Sequence, residues 1–177
     1  MPESLLIRRF YSTALPKDLT AAMYRLCDAA YECPTAPYFE DLGNGEHLLG
    51  FHDGALVSHL MWVTRWLEPD GLAPLRTAYV EMVATDPAVQ RRGYASGLLE
   101  ELVAHVGDYV VAALCPATEG VYARLGWRFW RGPLAARRDG TLVPTPEERV
   151  MLLPLPRTPP LPWDTPLSIE WRPGEIW

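Results

Sequence analysis

The sequence has few of the residues that hold disulfide-rich or metal-bound folds together. Its three cysteines, Cys27, Cys33 and Cys115, are odd in number and lack paired spacing, which argues against a disulfide framework or a zinc site. The four histidines, His47, His52, His59 and His105, form no ligand pattern such as H-E-x-x-H, so no metal is expected. There is one lysine, Lys17, and the 16 basic residues are outnumbered by 22 acidic ones, for a formal net charge of −6. That balance disfavours nucleic acid as a partner, because phosphate binding needs clustered Lys and Arg. It suits a cationic ligand, and equally a mild acidity that only serves solubility. No apolar run reaches the roughly 20 residues that span a bilayer. Met1 to Phe10 carries Arg8 and Arg9 inside an apolar stretch, which is unlike a signal peptide. No membrane partner is therefore expected, and the default location is cytoplasmic.

What is present is a chain of 177 residues, 49% hydrophobic, with no repeat or linker; residues 1–177 read as a single domain with a sizeable core. Leu5 to Phe10 reads as a strand. A helix then opens at Leu15-Pro16-Lys17-Asp18, with Leu19, Ala22, Met23, Leu26 and Ala30 on one face. Residues 31–45 contain Pro34, Pro37, Gly43 and Gly45 and read as a loop. His47–His52 and Ala55–Trp66 flank Asp53-Gly54, a hairpin signal. Arg76–Thr85 is an apolar strand stopped by Asp86-Pro87. Ala95–Val106 is a helix with Leu98, Leu99, Leu102, Val103 and Val106 at helical spacing. Tyr109–Cys115 reads as a buried strand, and Pro116 and Gly126 as the start and end of another helix. Trp127–Trp130 and Val150–Leu155 look like two final strands, ahead of a tail rich in Pro and Trp. The pattern is α/β or α+β, a mostly antiparallel mixed sheet flanked by helices.

The segment that carries chemistry is Gln90-Arg91-Arg92-Gly93-Tyr94-Ala95, between an expected strand and an expected helix. Gly93 allows a tight turn, so that successive N–H groups converge on an anion. The following helix adds the positive end of its dipole, and small Ala95 permits close approach. A diphosphate suits such a turn, although a basic turn that only caps a helix has the same composition.

Context decides between them. The Q/R-x-x-G-x-G/A pattern after a strand and before an amphipathic helix resembles the acetyl-CoA signature of the GNAT superfamily, and implies the GNAT fold. The resemblance assigns Val83, Ala84 and Thr85 to the pantetheine arm of acetyl-CoA. It assigns Gln90, Arg91, Arg92, Gly93, Tyr94 and Ala95 to its pyrophosphate. Further segments are similar to the aminoglycoside 2'-N-acetyltransferases: Tyr79-Val80-Glu81, Leu125 to Pro133, Thr145-Pro146-Glu147-Glu148, and the end from Glu170 to Trp177. Membership of that family implies a cationic aminoglycoside substrate and a homodimer. Two departures stand out. The stretch from Cys115 to Tyr122 is shorter than usual, and Pro34 and Pro37 stand where the family carries acidic residues. Both would reshape the sugar site and favour a less cationic aminoglycoside, with kasugamycin as the specific expectation.

The reaction needs a neutral amine, so a base must remove a proton directly or through water. Glu81, on the strand beside the expected thioester, is the candidate, as base or as a ligand of the cation. Tyr122 is the candidate acid for the departing thiolate, since a phenol with pKa ≈ 10 is protonated at neutral pH. The N–H of Val83 is placed to meet the thioester oxygen as charge develops. Glu32, Met82, Cys115, Glu148 and Trp177, the last through its terminal carboxylate, complete the expected substrate site. Two other readings remain open: a GNAT enzyme for another amine, and a CoA-binding module without turnover.

Overall fold

Two residues with positive φ, Asp53 at 48° and Gly54 at 79°, reverse the chain between strands β2 (Glu46–His52) and β3 (Ala55–Pro69). Such a turn matches the twist of the strands it joins, and Asp-Gly is among the pairs that adopt it without large steric cost. The hairpin expected from sequence is therefore present. The computed structural model describes residues 5–177; the Met1–Ser4 part of the first segment lies outside them. Two compact units divide the chain, Met1–Val63 with Val80–His105, and Thr64–Tyr79 with Val106–Trp177.

In the first unit, β1 (Leu6–Tyr11) pairs antiparallel with β2, and β2 with β3. The C-terminal half of β4 (Leu75–Thr85) neighbours β3. Helix α1 (Lys17–Tyr31) buries Met23, Leu26 and Cys27. Helix α3 (Tyr94–His105) buries Tyr94, Leu98, Leu99 and Leu102. Val106, just past its end, is buried too, but Val103 is 44% exposed. Val103 follows Leu102 by about 100° around the helix, enough to carry it out of the apolar stripe.

The stretch expected as a loop, residues 31–45, contains helix α2 (Ala36–Leu42). Pro37 stands in its first turn, where a missing N–H costs nothing. The Asp28 carboxylate accepts from the Thr35 N–H at 2.7 Å and from its hydroxyl at 2.6 Å, which fixes the entry. Phe39 is buried edge-on to Tyr24, and Gly43, at φ 72°, ends the helix. The prolines and glycines read as breakers include the start and stop signals of a short helix.

In the second unit the strand order is β6-β9-β5-β4-β3-β10-β7-β8. Here β5 is Val111–Leu114, β6 Arg128–Phe129, β7 Leu134–Arg138, β8 Thr141–Pro144, β9 Met151–Pro154 and β10 Leu167–Glu170. The β4–β5 and β7–β10 pairs are parallel, whereas β3–β10, β5–β9, β6–β9 and β7–β8 are antiparallel. The mixed sheet with helices is the expected α/β class. Helix α4 spans only Gly120–Arg124, so Pro116 lies outside it. A proline marks where a helix is free to begin, not where it must. Gly126, at φ 90°, does follow its end. Beyond the expected strands at β5, β6 and β9, three more, β7, β8 and β10, complete this unit, and the Pro/Trp-rich tail supplies one of them. Among the described residues no helix is long and apolar enough to cross a membrane.

Candidate active site

In the first unit the site is built around β4. Glu81 and Val83 are half-buried, and Met82 between them is buried with φ 52°. A non-glycine residue in left-handed conformation costs about 1–3 kcal/mol and persists where its surroundings over-determine it. It interrupts the run of extended backbone within β4. The Met82 carbonyl lies 2.7 Å from Nδ1 of His59. The next carbonyl, Val83, accepts from the Tyr31 hydroxyl at 3.1 Å, and the Ala84 carbonyl accepts from Ser58 Oγ at 2.9 Å. Thr85 Oγ1 is 2.9 Å from the same Ser58 oxygen. The end of α1 is thus brought to β4, and Glu32, exposed at φ 56°, follows Tyr31 directly.

Asp86 ends the strand, its carboxylate accepting from the Ala88 N–H at 2.9 Å. The segment Gln90–Gly93 is exposed, with Arg91 at φ 64° and Gly93 at 85°, and α3 starts at Tyr94. Two left-handed residues within three positions bend the backbone into a concavity lined with N–H groups, which the dipole of α3 completes. A Cβ at Gly93 would meet nothing within 4 Å, so φ alone demands glycine there. The turn is open on that side, and its donors and its two exposed arginines fit a diphosphate.

In the second unit, Tyr122 is buried on α4 and meets the Trp127 ring edge-on. Burial pushes its phenol up to about 12. Three further candidates are drawn together here. The Cys115 thiol donates to Glu148 Oε2 at 3.7 Å. The Glu148 N–H donates to the Thr145 carbonyl at 3.2 Å, and the buried Trp177 indole N–H donates to Thr145 Oγ1 at 2.8 Å. One turn, Thr145 to Glu148, therefore links a half-buried carboxylate, an exposed thiol and a buried indole. Arg65 secures the same end of the chain: its Nη1 donates to the Ile176 carbonyl at 3.0 Å and its Nε to Glu170 at 2.8 Å. Burial lowers this guanidinium, and the neighbouring Arg172 adds to the shift.

Sequence reasoning missed Tyr31, His59, Thr145 and Arg65 as structural parts of these two groupings. Thr145 lies within a segment already singled out; Tyr31 falls in the stretch read as a loop, and His59 and Arg65 sit in a strand pattern that says nothing about hydrogen-bond partners. Met82, expected to meet substrate, is 8% exposed, and its carbonyl is engaged by His59.

Comparison with known proteins places the fold and the family. The family model described as an acetyltransferase (GNAT) domain matches residues 13–130. An aminoglycoside 2'-N-acetyltransferase of Mycolicibacterium fortuitum is 31% identical over 140 residues, 75% of this chain and 71% of that protein. Among solved structures, the Escherichia coli GNAT family N-acetyltransferase YhbS in complex with CoA superposes with a TM-score of 0.63 at 16% identity, over 93% of this chain and 88% of that one. Eis1 from Mycobacterium abscessus gives 0.61 at 22% identity over 75% of this chain, which spans only 33% of the Eis1 chain. The structural likenesses establish the fold, and the family and sequence matches establish the kinship. The chain belongs to the GNAT acetyltransferases, as an acetyl-CoA-dependent N-acetyltransferase of the aminoglycoside 2'-N-acetyltransferase family.

Proposed function

We propose that this enzyme acetylates an amine of an aminoglycoside antibiotic, that kasugamycin is its specific substrate, and that resistance is the outcome. The observation that carries the reading is the Thr145–Glu148 turn. It holds the Glu148 carboxylate half-buried on a support clamped by Trp177. A fixed, partly desolvated anion is what a cationic sugar amine would bind, whereas a freely solvated carboxylate gains little from the same pairing. Glu32, Cys115 and Met82 are assigned to the same substrate, Glu32 as a second anion. The enzyme would act in the cytoplasm by default, and as a homodimer by the family resemblance.

Acetyl-CoA would pair its pantetheine arm with Val83, Ala84 and Thr85 and lay its pyrophosphate in the turn from Gln90 to Ala95. Glu81 takes a proton from the bound ammonium, directly or through water, and passes it to solvent. The neutral amine then attacks the thioester carbon, and the carbonyl electrons move onto oxygen, where the Val83 N–H stabilises them. The nitrogen, now positive, gives a proton to Glu81, directly or through water. Collapse breaks the C–S bond. Tyr122, the candidate acid, donates a hydrogen bond to the thiolate as it departs, and the proton that completes the thiol comes from solvent. Amide and CoA thiol leave, and Glu81 releases its proton to solvent.

The narrow range follows from the first-unit elements. Pro37 stands within α2, and with Pro34 before it the segment carries fewer acidic groups than the family pattern. Steady-state release of CoA with a panel of amines tests both levels. We expect a higher kcat/KM for kasugamycin than for gentamicin or tobramycin. Equal or reversed efficiencies remove the specific substrate, and turnover of polyamines or protein N-termini alone removes the aminoglycoside.

A further inference from the structure

The first unit contains a line of buried polar groups that the mechanism above does not use. His59 Nε2 is 2.9 Å from His47 Nδ1, and His47 Nε2 is 2.9 Å from Ser12 Oγ. His59 is wholly buried and His47 nearly so. We propose that His59, supported by His47 and Ser12, is a positioning residue of the acetyl transfer: it holds the left-handed Met82 from which Glu81 and Val83 extend. The proposal rests on the reading that Glu81 and the Val83 N–H act on the reacting groups.

The proton positions follow from the partners. The Met82 carbonyl only accepts, so His59 Nδ1 carries a hydrogen. Burial pushes His59 down to about 3 and His47 to about 4, with the neighbouring His47 adding to the shift of His59 and Glu46 opposing that of His47. Each ring is then neutral with a single N–H. His59 Nε2 must accept, so His47 Nδ1 donates. His47 Nε2 must accept, so the Ser12 hydroxyl donates to it in preference to the Gly45 carbonyl 3.0 Å away. The rest of the line agrees: Ser12 Oγ receives the Gly45 N–H at 2.9 Å, and the Gly45 carbonyl is satisfied by the Ser12 N–H at 2.9 Å. The Cys27 thiol, 3.7 Å from His59 Nδ1, is kept protonated by burial, which pushes it up to about 12. It is only a weak second contact, because accepting its proton would strand the Met82 carbonyl. One assignment thus satisfies every group, and all three hydrogen bonds point toward Met82.

The line is also enclosed. Phe39 of α2 lies 6.3 Å from the His47 ring and 5.8 Å from that of His59. The short helix in residues 36–42 therefore caps the relay and keeps water from competing for the Met82 carbonyl. A buried carbonyl costs free energy without a donor. With His59 gone, the strand would gain by relaxing to an extended Met82, and the groups on either side would rotate with it.

The test uses the full chain with acetyl-CoA and an accepted amine. His59→Leu removes the donor. His59→Asn places its amide N–H where Nδ1 stood, keeping the bond to Met82 while breaking the link to His47. We expect His59→Leu to lower kcat by about 10- to 100-fold, the scale of a small misplacement of reacting groups, with acetyl-CoA KM within about twofold. His59→Asn should recover most of that kcat although its Tm falls as far. In the wild type, ring 15N shifts should report His59 protonated at Nδ1. A His59→Asn variant as slow as His59→Leu, or a His59 protonated at Nε2, overturns the proposal; the NMR result decides it even if His59→Leu does not fold. Glu81→Gln separates the two readings. Wild-type turnover there removes Glu81 as base, while the tautomer and the Asn–Leu contrast still judge the relay.

Discussion

Among single residues, Glu81 and Tyr122 differ in what their surroundings allow. Glu81 must be ionised to accept a proton, and the substrate amine must be neutral to attack. Glu81→Gln should therefore lower kcat about 100-fold or more and flatten the acidic limb of the pH–rate profile. An unchanged acidic limb and rate would remove the base. Tyr122 is the reverse case. Because burial pushes it up to about 12, it stays protonated through the working range. Full proton loss to an ordinary thiolate, with a conjugate acid near 8.5, would be uphill by a factor of more than about a thousand, so its main contribution is a donated hydrogen bond. We expect Tyr122→Phe to lower kcat by about tenfold with little change in CoA affinity. Its pH profile between 6 and 9 should run parallel to the wild type. An alkaline fall in the wild type that disappears in the variant would mean that the phenol titrates within that range, against the effect of its burial.

For the elements, the turn before α3 was the most readable part of the chain and the second unit the least. The turn depends on local chemistry: one glycine at φ 85° and a helix behind it, both written in consecutive residues. Gly93→Val should raise the Kd for CoA by at least about tenfold, because a β-branched residue resists positive φ. Since a side chain there has open space, the variant should fold, and isothermal titration then reads the turn alone. Unchanged affinity would detach the pyrophosphate from this segment. The Asp53-Gly54 hairpin was legible for the same reason. Asp139-Gly140, at φ 50° and 75°, carries an equal turn signal between β7 and β8, but the charged residues around it obscure the flanking alternation. Strand β10 had no local signal, since it is defined by pairing with β3 and β7. Nor could sequence show that Gly132 has backbone against it, where a Cβ would fall 1.8 Å from the Thr165 carbonyl oxygen. The His59–Met82 contact was illegible likewise, because it joins residues 23 positions apart through a side chain whose type alone is uninformative.

Across the whole molecule, the buried histidines set how the protein responds to acid. A histidine held neutral when folded has its pKa depressed below the unfolded value. Between those two values the unfolded chain binds more protons, so stability is full above the unfolded pKa and is lost as pH falls toward the folded one. For His47 and His59 that window runs from 6.5 down to about 4 and about 3. Asp28, Asp108 and Asp164, each held below the usual carboxylate range chiefly by a hydrogen bond to Thr35, Arg76 or Arg131, act in the same direction only below their ordinary value of 3.8. Asp108 and Asp164 are exposed and Asp28 is only half-buried, so they contribute little. Acid loosening should therefore begin well above pH 4, in the unit that contains both histidines. Hydrogen exchange at pH 7 and pH 5, corrected for intrinsic rates, should show β2 and the Ala55–Val63 part of β3 losing protection first, while β5 and β9 hold. His59→Asn should shrink the drop in Tm between pH 7 and 4.5, because one of the two titrating rings is gone. Equal loss of protection in both units, or a drop as large in His59→Asn as in the wild type, would show that these rings are not held neutral by the fold.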